Sequence, residues 1–152
     1  MSIYDRMKEL GIELPEAPEA MGLYVPVKEA GGLLYTSGQG PVRGGGLAYL
    51  GKVGGARTLE EGQEAAKLCA LNALAQAAKY LGDLGRITSV VKVLGFVASA
   101  PGFNDQPKVI NGASQLFIDL FGDAGRHARS AIGVNELPGD ITVEVEAILQ
   151  IR

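Results

Sequence analysis

The chain has 152 residues, of which 47% are apolar and 20% charged, and a formal net charge of −3. This length suffices for one domain, residues 1–152, whose core needs no disulfide. The acidic balance and the lack of a long basic cluster argue against a nucleic-acid partner.

Cys69 is the only cysteine, which excludes an internal disulfide and any multi-cysteine metal site. Its alanine- and leucine-rich surroundings predict a small buried hydrophobe rather than a nucleophile. No stretch approaches the roughly 20 apolar residues of a membrane span, and the N-terminus lacks the apolar run of a secretory signal. We therefore expect a cytoplasmic protein with no membrane partner.

The N-terminal part of the chain predicts one short helix followed by a hairpin. Ser2 is placed to cap a helix that runs to about Leu10. Prolines make residues 12–22 irregular. Strands are predicted at Tyr24–Val27 and Gly32–Ser37, joined by a turn.

The middle of the chain predicts a turn-rich loop, two helices and a long strand between them. Residues 40–55 hold seven glycines, with a short strand expected at 47–50. Thr58-Leu59-Glu60-Glu61 is a capping box for a helix that ends near Leu81. Ile87–Ala98 predicts a central strand. A second amphipathic helix begins after Asn104 or Asp105, and Gly122 ends it.

Two C-terminal strands with a turn at residues 135–140 complete this pattern. We expect two helices packed on one face of a mixed β-sheet, an α+β fold. Pairing of the last two strands as a hairpin would place Arg129 opposite Glu146 and Ala131 opposite Glu144, all on one face.

Two interpretations of this arginine–glutamate face are open. The simpler is a surface ion pair, which contributes little to stability. The other is a site for an anionic ligand, because Ala131 and Gly133 leave space and an arginine side chain can hold a carboxylate through two hydrogen bonds.

Several motifs occur together in one order along the chain. They are Tyr24, Thr36-Ser37-Gly38-Gln39 with Pro41, Asn111, Arg129-Ser130-Ala131-Ile132-Gly133-Val134, Leu137-Pro138 and Val143-Glu144-Val145-Glu146-Ala147. This combination resembles the Rid (YjgF) family of enamine/imine deaminases. The resemblance covers roughly residues 20–152, so that residues 1–20 are interpreted as an N-terminal extension.

The resemblance implies a chorismate-mutase-like fold and a homotrimer with a central barrel and ligand clefts between subunits. Arg129 would hold the carboxylate of a 2-imino or 2-enamino acid. Glu144 would position or activate the water that attacks the C=N carbon, giving a 2-keto acid and ammonia. Tyr24, Ser37, Gly38 and Ala131 would complete the pocket, with no metal and no other cofactor.

Three other polar residues have less direct interpretations. His127 is expected at a structural or rim position rather than as a catalytic base. Asn72 and Asn111 are each expected to satisfy a nearby backbone group. Alanine at position 131, where many family members have cysteine, leaves only its backbone available to a ligand.

Two other functions remain as alternatives to a deaminase. One is a binding or regulatory trimer that binds small carboxylates, such as keto acids, without turnover. The other is an endoribonuclease, which the acidic charge balance disfavours.

Overall fold

A five-stranded mixed sheet organises the structure, a computed structural model that describes all residues from Met1 to Arg152. The strand order is β1-β2-β7-β5-β6, and a separate two-stranded ribbon, β3-β4, lies in the glycine-rich loop. The elements are α1 (Ile3–Leu10), β1 (Val27–Ala30), β2 (Leu33–Thr36), β3 (Val42–Arg43), β4 (Gly46–Leu47), α2 (Leu59–Leu81), β5 (Ile87–Ala98), α3 (Gln106–Phe121), β6 (Ala128–Val134) and β7 (Val143–Ile151).

Local capping determines where the helices begin and end. Ser2 and Asp5 form a capping box at α1, and Thr58 and Glu61 form another at α2. Gly82 ends α2 in the left-handed conformation that favours glycine. All three helices therefore lie where the sequence predicts them, and none is long and apolar enough to cross a membrane.

The core lies between the sheet and the two long helices, α2 and α3. Fully buried apolar side chains of both helices, among them Leu74, Ile110 and Phe117, pack against those on one face of β5 and β7, such as Val93 and Leu149. Gly95 lets α3 approach β5, because a Cβ there would collide with Ile110. The predicted α+β arrangement, two helices on one face of a mixed sheet, is confirmed.

The opposite face of the sheet is only partly covered. It carries a set of apolar side chains, and Tyr35 and Ile132 among them keep 41% and 44% of their surface exposed. The others are half-buried; they are Leu33, Leu94, Phe96 and Ile148.

The predicted C-terminal hairpin is wrong, because β6 and β7 do not pair. β6 runs parallel to β5 on one side, and β7 runs antiparallel to β5 on the other. The helix α3 carries the chain from the end of β5 back to its start, which is the crossover that a parallel neighbour requires. The chain then crosses the end of β5, and β7 takes the central position between β5 and β2.

The first hairpin also differs in detail from the prediction. Its turn is Gly31-Gly32, both with positive φ, so that Ala30 pairs with Leu33 and Val27 pairs with Thr36. The strand β1 begins at Val27, and Tyr24 therefore lies before it. The short strand expected at residues 47–50 is replaced by the β3-β4 ribbon and a single bridge from Leu50 to Ile141.

Candidate functional site

A surface pocket of about 430 Å³ lies where the segment before β1, the loop after β2 and the start of β7 meet. It brings together three of the predicted site residues, Tyr24, Gly38 and Glu144. Much of the remaining wall is apolar; this part comprises Pro18, Ala20, Met21, Pro26, Val42, Leu47, Pro138 and Ile141.

Glu144 supplies the carboxylate of this pocket. Its neighbours Val143 and Val145 are fully buried against the helices, so alternation along β7 directs Glu144 to the other face. The side chain is half-buried and makes no hydrogen bond or ion pair within the chain. Burial, and secondarily the charge of Glu146, raises the pKa of Glu144 above its ordinary value of 4.5. An unpaired carboxylate with a raised pKa is suited to accept a proton.

Gly38 lies directly against this carboxylate. Gln39, the next residue, exchanges two backbone hydrogen bonds with Val145, of 2.8 and 3.0 Å, which fixes the loop beside β7. A Cβ on Gly38 would lie 2.7 Å from Cδ and 2.8 Å from Oε2 of Glu144. Only glycine therefore allows both the loop and the carboxylate to keep these positions.

Ser37 and Tyr24 hold the segment that borders the pocket. The Ser37 hydroxyl donates to the carbonyl oxygen of Val25 at 2.6 Å. The backbone N–H of Met21 donates to the Tyr24 hydroxyl oxygen at 3.2 Å. The Ser37 hydrogen is therefore engaged, which leaves its oxygen free only to accept, and Ser37 itself is not among the residues that line the pocket.

Arg129 lies elsewhere, on β6, where its side chain is held against α3. Its Nη1 donates to Asn111 Oδ1 at 2.7 Å and to Ser114 Oγ at 3.1 Å. The Nε–Nη2 edge of the guanidinium has no partner and remains available as a planar pair of donors. Ala131 follows on the same face of the strand, level with Gly95.

A single chain does not bring Arg129 and Glu144 together, and the predicted shared face is wrong. Arg129 is level with Val93 and Ala147 and faces α3, whereas Glu144 is level with Phe96 on the opposite face. With β5 between them, the backbones of β6 and β7 are roughly 10 Å apart. The predicted site residues therefore form two separate groups: Tyr24 and Gly38 lie with Glu144, and Ala131 lies with Arg129.

Sequence reasoning missed the residues that hold Arg129. Asn111 was expected to form a hydrogen bond with a nearby backbone group, but its amide oxygen accepts a hydrogen bond from the Arg129 guanidinium. The expectation holds for Asn72, whose amide donates to the carbonyl oxygens of Gly40 and Val42. The spacing of Asn111 and Ser114, one turn apart on α3, is the signal that could have indicated a polar patch on that helix.

Cys69 is confirmed as a buried residue. Its sulfur contacts the Val143 carbonyl oxygen at 3.4 Å, and the side chain has no exposed surface. Burial raises the pKa of the thiol well above its ordinary value, so the thiol stays protonated and unreactive.

A family model and two known proteins match most of this chain. The family model described as YjgF/chorismate-mutase-like, which also carries a candidate endoribonuclease description, matches residues 4–143. Protein TCP17 of Trypanosoma cruzi is 43% identical over 147 residues, 96% of this chain and 92% of that protein. A 2-iminobutanoate/2-iminopropanoate deaminase of Dermatophagoides farinae is 28% identical over 153 residues, 93% and 95% of the two chains.

Solved structures agree with this relationship. The crystal structure of Atu1372, a protein of unknown function from Agrobacterium tumefaciens, matches with a TM-score of 0.92 and 48% identity over 99% of this chain and 92% of that one. The fold is thus that of the chorismate-mutase-like α+β proteins. Within that class, the chain belongs to the YjgF (Rid) family.

Proposed function

We propose that the protein is a metal-free hydrolytic deaminase that converts 2-imino and 2-enamino acids to 2-keto acids and ammonia. The observation that supports this most directly is the unpaired, half-buried carboxylate of Glu144, whose raised pKa suits a general base. The related deaminase from Dermatophagoides farinae adds support from outside the structure.

The two halves of the site complete each other if Arg129 of one copy meets Glu144 of the next. We propose a homotrimer in which the partly covered sheet face lines a central barrel and each cleft takes residues from two copies. The apolar side chains on that face, including Tyr35 and Ile132, provide surface for such an association.

The proposed chemistry uses the unpaired donors of Arg129 from one copy and the unpaired carboxylate of Glu144 from the next. The Nε–Nη2 edge of Arg129 holds the substrate carboxylate, which fixes the C=N carbon beside Glu144. Glu144 takes a proton from water as the water oxygen bonds to that carbon, the C=N π pair moves to nitrogen, and Glu144 passes the proton to that nitrogen to give the carbinolamine. Glu144 then takes the carbinolamine's O–H proton and delivers it to nitrogen as the C=O bond forms and the C–N bond breaks, which leaves the keto acid and ammonia.

The pocket beside Glu144 supports a proposal about the substituent on the imine carbon. The carboxylate points to the neighbouring copy, so the remaining substituent enters the pocket of this chain. Gln76 fixes the outer wall, because its amide donates to the Pro18 carbonyl oxygen and so ties residues 18–21 to α2. We propose that this side chain is apolar and larger than methyl, as the largely apolar wall favours.

A direct assay tests the proposed activity. 2-Iminobutanoate generated by an amino-acid oxidase should disappear faster with the purified protein, as followed by trapping the imine with semicarbazide. Arg129→Ala and Glu144→Gln should each abolish the acceleration, whereas Gln115→Ala, an exposed change on α3, should not. No acceleration over buffer for several imino acids would contradict the proposal. Saturable keto-acid binding without turnover would instead support the carboxylate-binding alternative.

A further inference from the structure

His127 lies two residues before Arg129, at the entry to β6. It is half-buried, and its ring packs edge-on against Phe117, with centroids 5.9 Å apart and planes at 81°. It is the only histidine of the chain, and the proposed chemistry does not use it.

The hydrogen bonds around His127 fix which ring nitrogen carries the proton. Nδ1 lies 2.7 Å from the carbonyl oxygen of Gly125, which can only accept, so Nδ1 is the donor. Burial, with the charge of Arg129 adding to it, lowers the pKa of His127 below its ordinary 6.5. The ring is therefore neutral near pH 7, and Nε2 presents a lone pair.

Ser114 connects this ring to Arg129. Its Oγ lies 2.9 Å from His127 Nε2 and 3.1 Å from Arg129 Nη1. The guanidinium can only donate and the neutral Nε2 can only accept, so the hydroxyl accepts from Arg129 and donates to His127. Every hydrogen bond in this series has a determined direction.

We infer that His127 is a positioning residue that orients the Arg129 guanidinium through Ser114. With Nη1 held by Ser114 and Asn111, the Nε–Nη2 edge keeps a fixed direction toward the ligand carboxylate. A fixed guanidinium loses less conformational freedom when it binds than a mobile one, so the arrangement strengthens carboxylate binding. The inference rests on the proposed function, because it assigns Arg129 to that carboxylate.

The tautomer is the first test and needs no substrate. With one histidine, the imidazole nitrogen resonances of the ¹⁵N-labelled protein belong to His127 without ambiguity. We expect the neutral Nδ1–H form near pH 7. Observation of the Nε2–H form would overturn the inference, because Ser114 could not then donate to Nε2.

Matched variants supply the second test, with 2-oxobutanoate as the bound probe. His127→Phe keeps the ring and its contact with Phe117 but removes both nitrogens. We expect its Kd and KM to rise about tenfold with kcat nearly unchanged, as loss of one oriented hydrogen bond predicts. Ser114→Ala should reproduce this, His127→Gln should restore most of the affinity through its amide oxygen, and Gln115→Ala should leave affinity unchanged.

The two proposals fail in different ways. Wild-type affinity in both His127→Phe and Ser114→Ala, with weak binding in Arg129→Ala, would overturn the positioning role alone. The ordering of the Arg129 Nε–H group, measured by heteronuclear NMR, should fall in both variants even if no substrate is turned over. An unchanged Nε–H signal in folded Ser114→Ala would also overturn it.

Discussion

At the scale of single residues, the contact between Gly38 and Glu144 carries much of the proposed chemistry. Gly38→Ala would place a Cβ 2.8 Å from the Glu144 carboxylate oxygen, so the carboxylate must move away from the water it activates. We expect kcat/KM to fall more than tenfold, as about 1 Å of misplacement in a catalytic group predicts. Parallel assays and thermal melts check this.

Gly46→Ala is the control for that substitution. A Cβ on Gly46 meets nothing nearer than the Arg43 carbonyl oxygen at 4.0 Å, and Gly46 lacks a positive φ. It should retain wild-type activity. Equal losses in the two variants would show that the effect is not specific to the Glu144 contact.

The raised pKa of Glu144 gives a pH prediction. Water activation needs the ionised carboxylate, so kcat/KM, which reports groups of the free enzyme, should fall on the acid side with a midpoint above the ordinary 4.5. The folded protein holds this proton more tightly than the unfolded chain, so the same group should reduce stability as pH rises through that interval. A pH–rate profile with a midpoint at or below 4.5 would contradict the assignment.

The chemistry of single residues was predictable from sequence, but their arrangement was not. Arg129 and Glu144 lie in motifs that mark the family, and Cys69 lies in an apolar helix pattern. Their faces depend on whether β6 pairs with β7 or with β5, which is a long-range choice. The alternation of residues along one strand cannot determine the identity of its neighbour.

At the scale of elements, local rules predicted the helices well. The Thr58–Glu61 capping box and Gly82 fix the ends of α2 through contacts within a few residues. The strands were less accurate, because glycine pairs such as Gly31-Gly32 form tight turns that shift the boundaries. Local signals thus locate the elements, and packing decides their order in the sheet.

The N-terminal segment gives an element-scale prediction on substrate choice. Ala20 lines the pocket beside Glu144, and Ala20→Phe would fill part of its apolar end. We expect turnover of an imino acid with a four-carbon side chain to fall at least about tenfold relative to 2-iminopropionate, as steric exclusion predicts. The measurement is the ratio of the two kcat/KM values.

Glu16→Phe is a matched control, because it adds an aromatic ring to the same segment at an exposed position outside the pocket. Its ratio should remain that of the wild type. Equal loss on both substrates in Ala20→Phe would contradict a selective role for this wall.

At the scale of the whole molecule, the separation of Arg129 and Glu144 makes assembly part of the proposed activity. One chain holds each group on a different face of the sheet, with β5 between them. A monomer would therefore have both groups and no complete site. Light scattering should give three times the 15.8 kDa chain mass.

Complementation between two inactive variants tests the shared cleft most directly. Arg129→Ala and Glu144→Gln proteins, unfolded together and refolded at equal concentration, should form mixed trimers. Random mixing leaves about one quarter of the clefts with Arg129 from one copy and Glu144 from the next. We expect about that fraction of wild-type activity from a mixture of two variants that are each inactive. A mixture that forms mixed trimers and stays inactive would contradict the shared cleft.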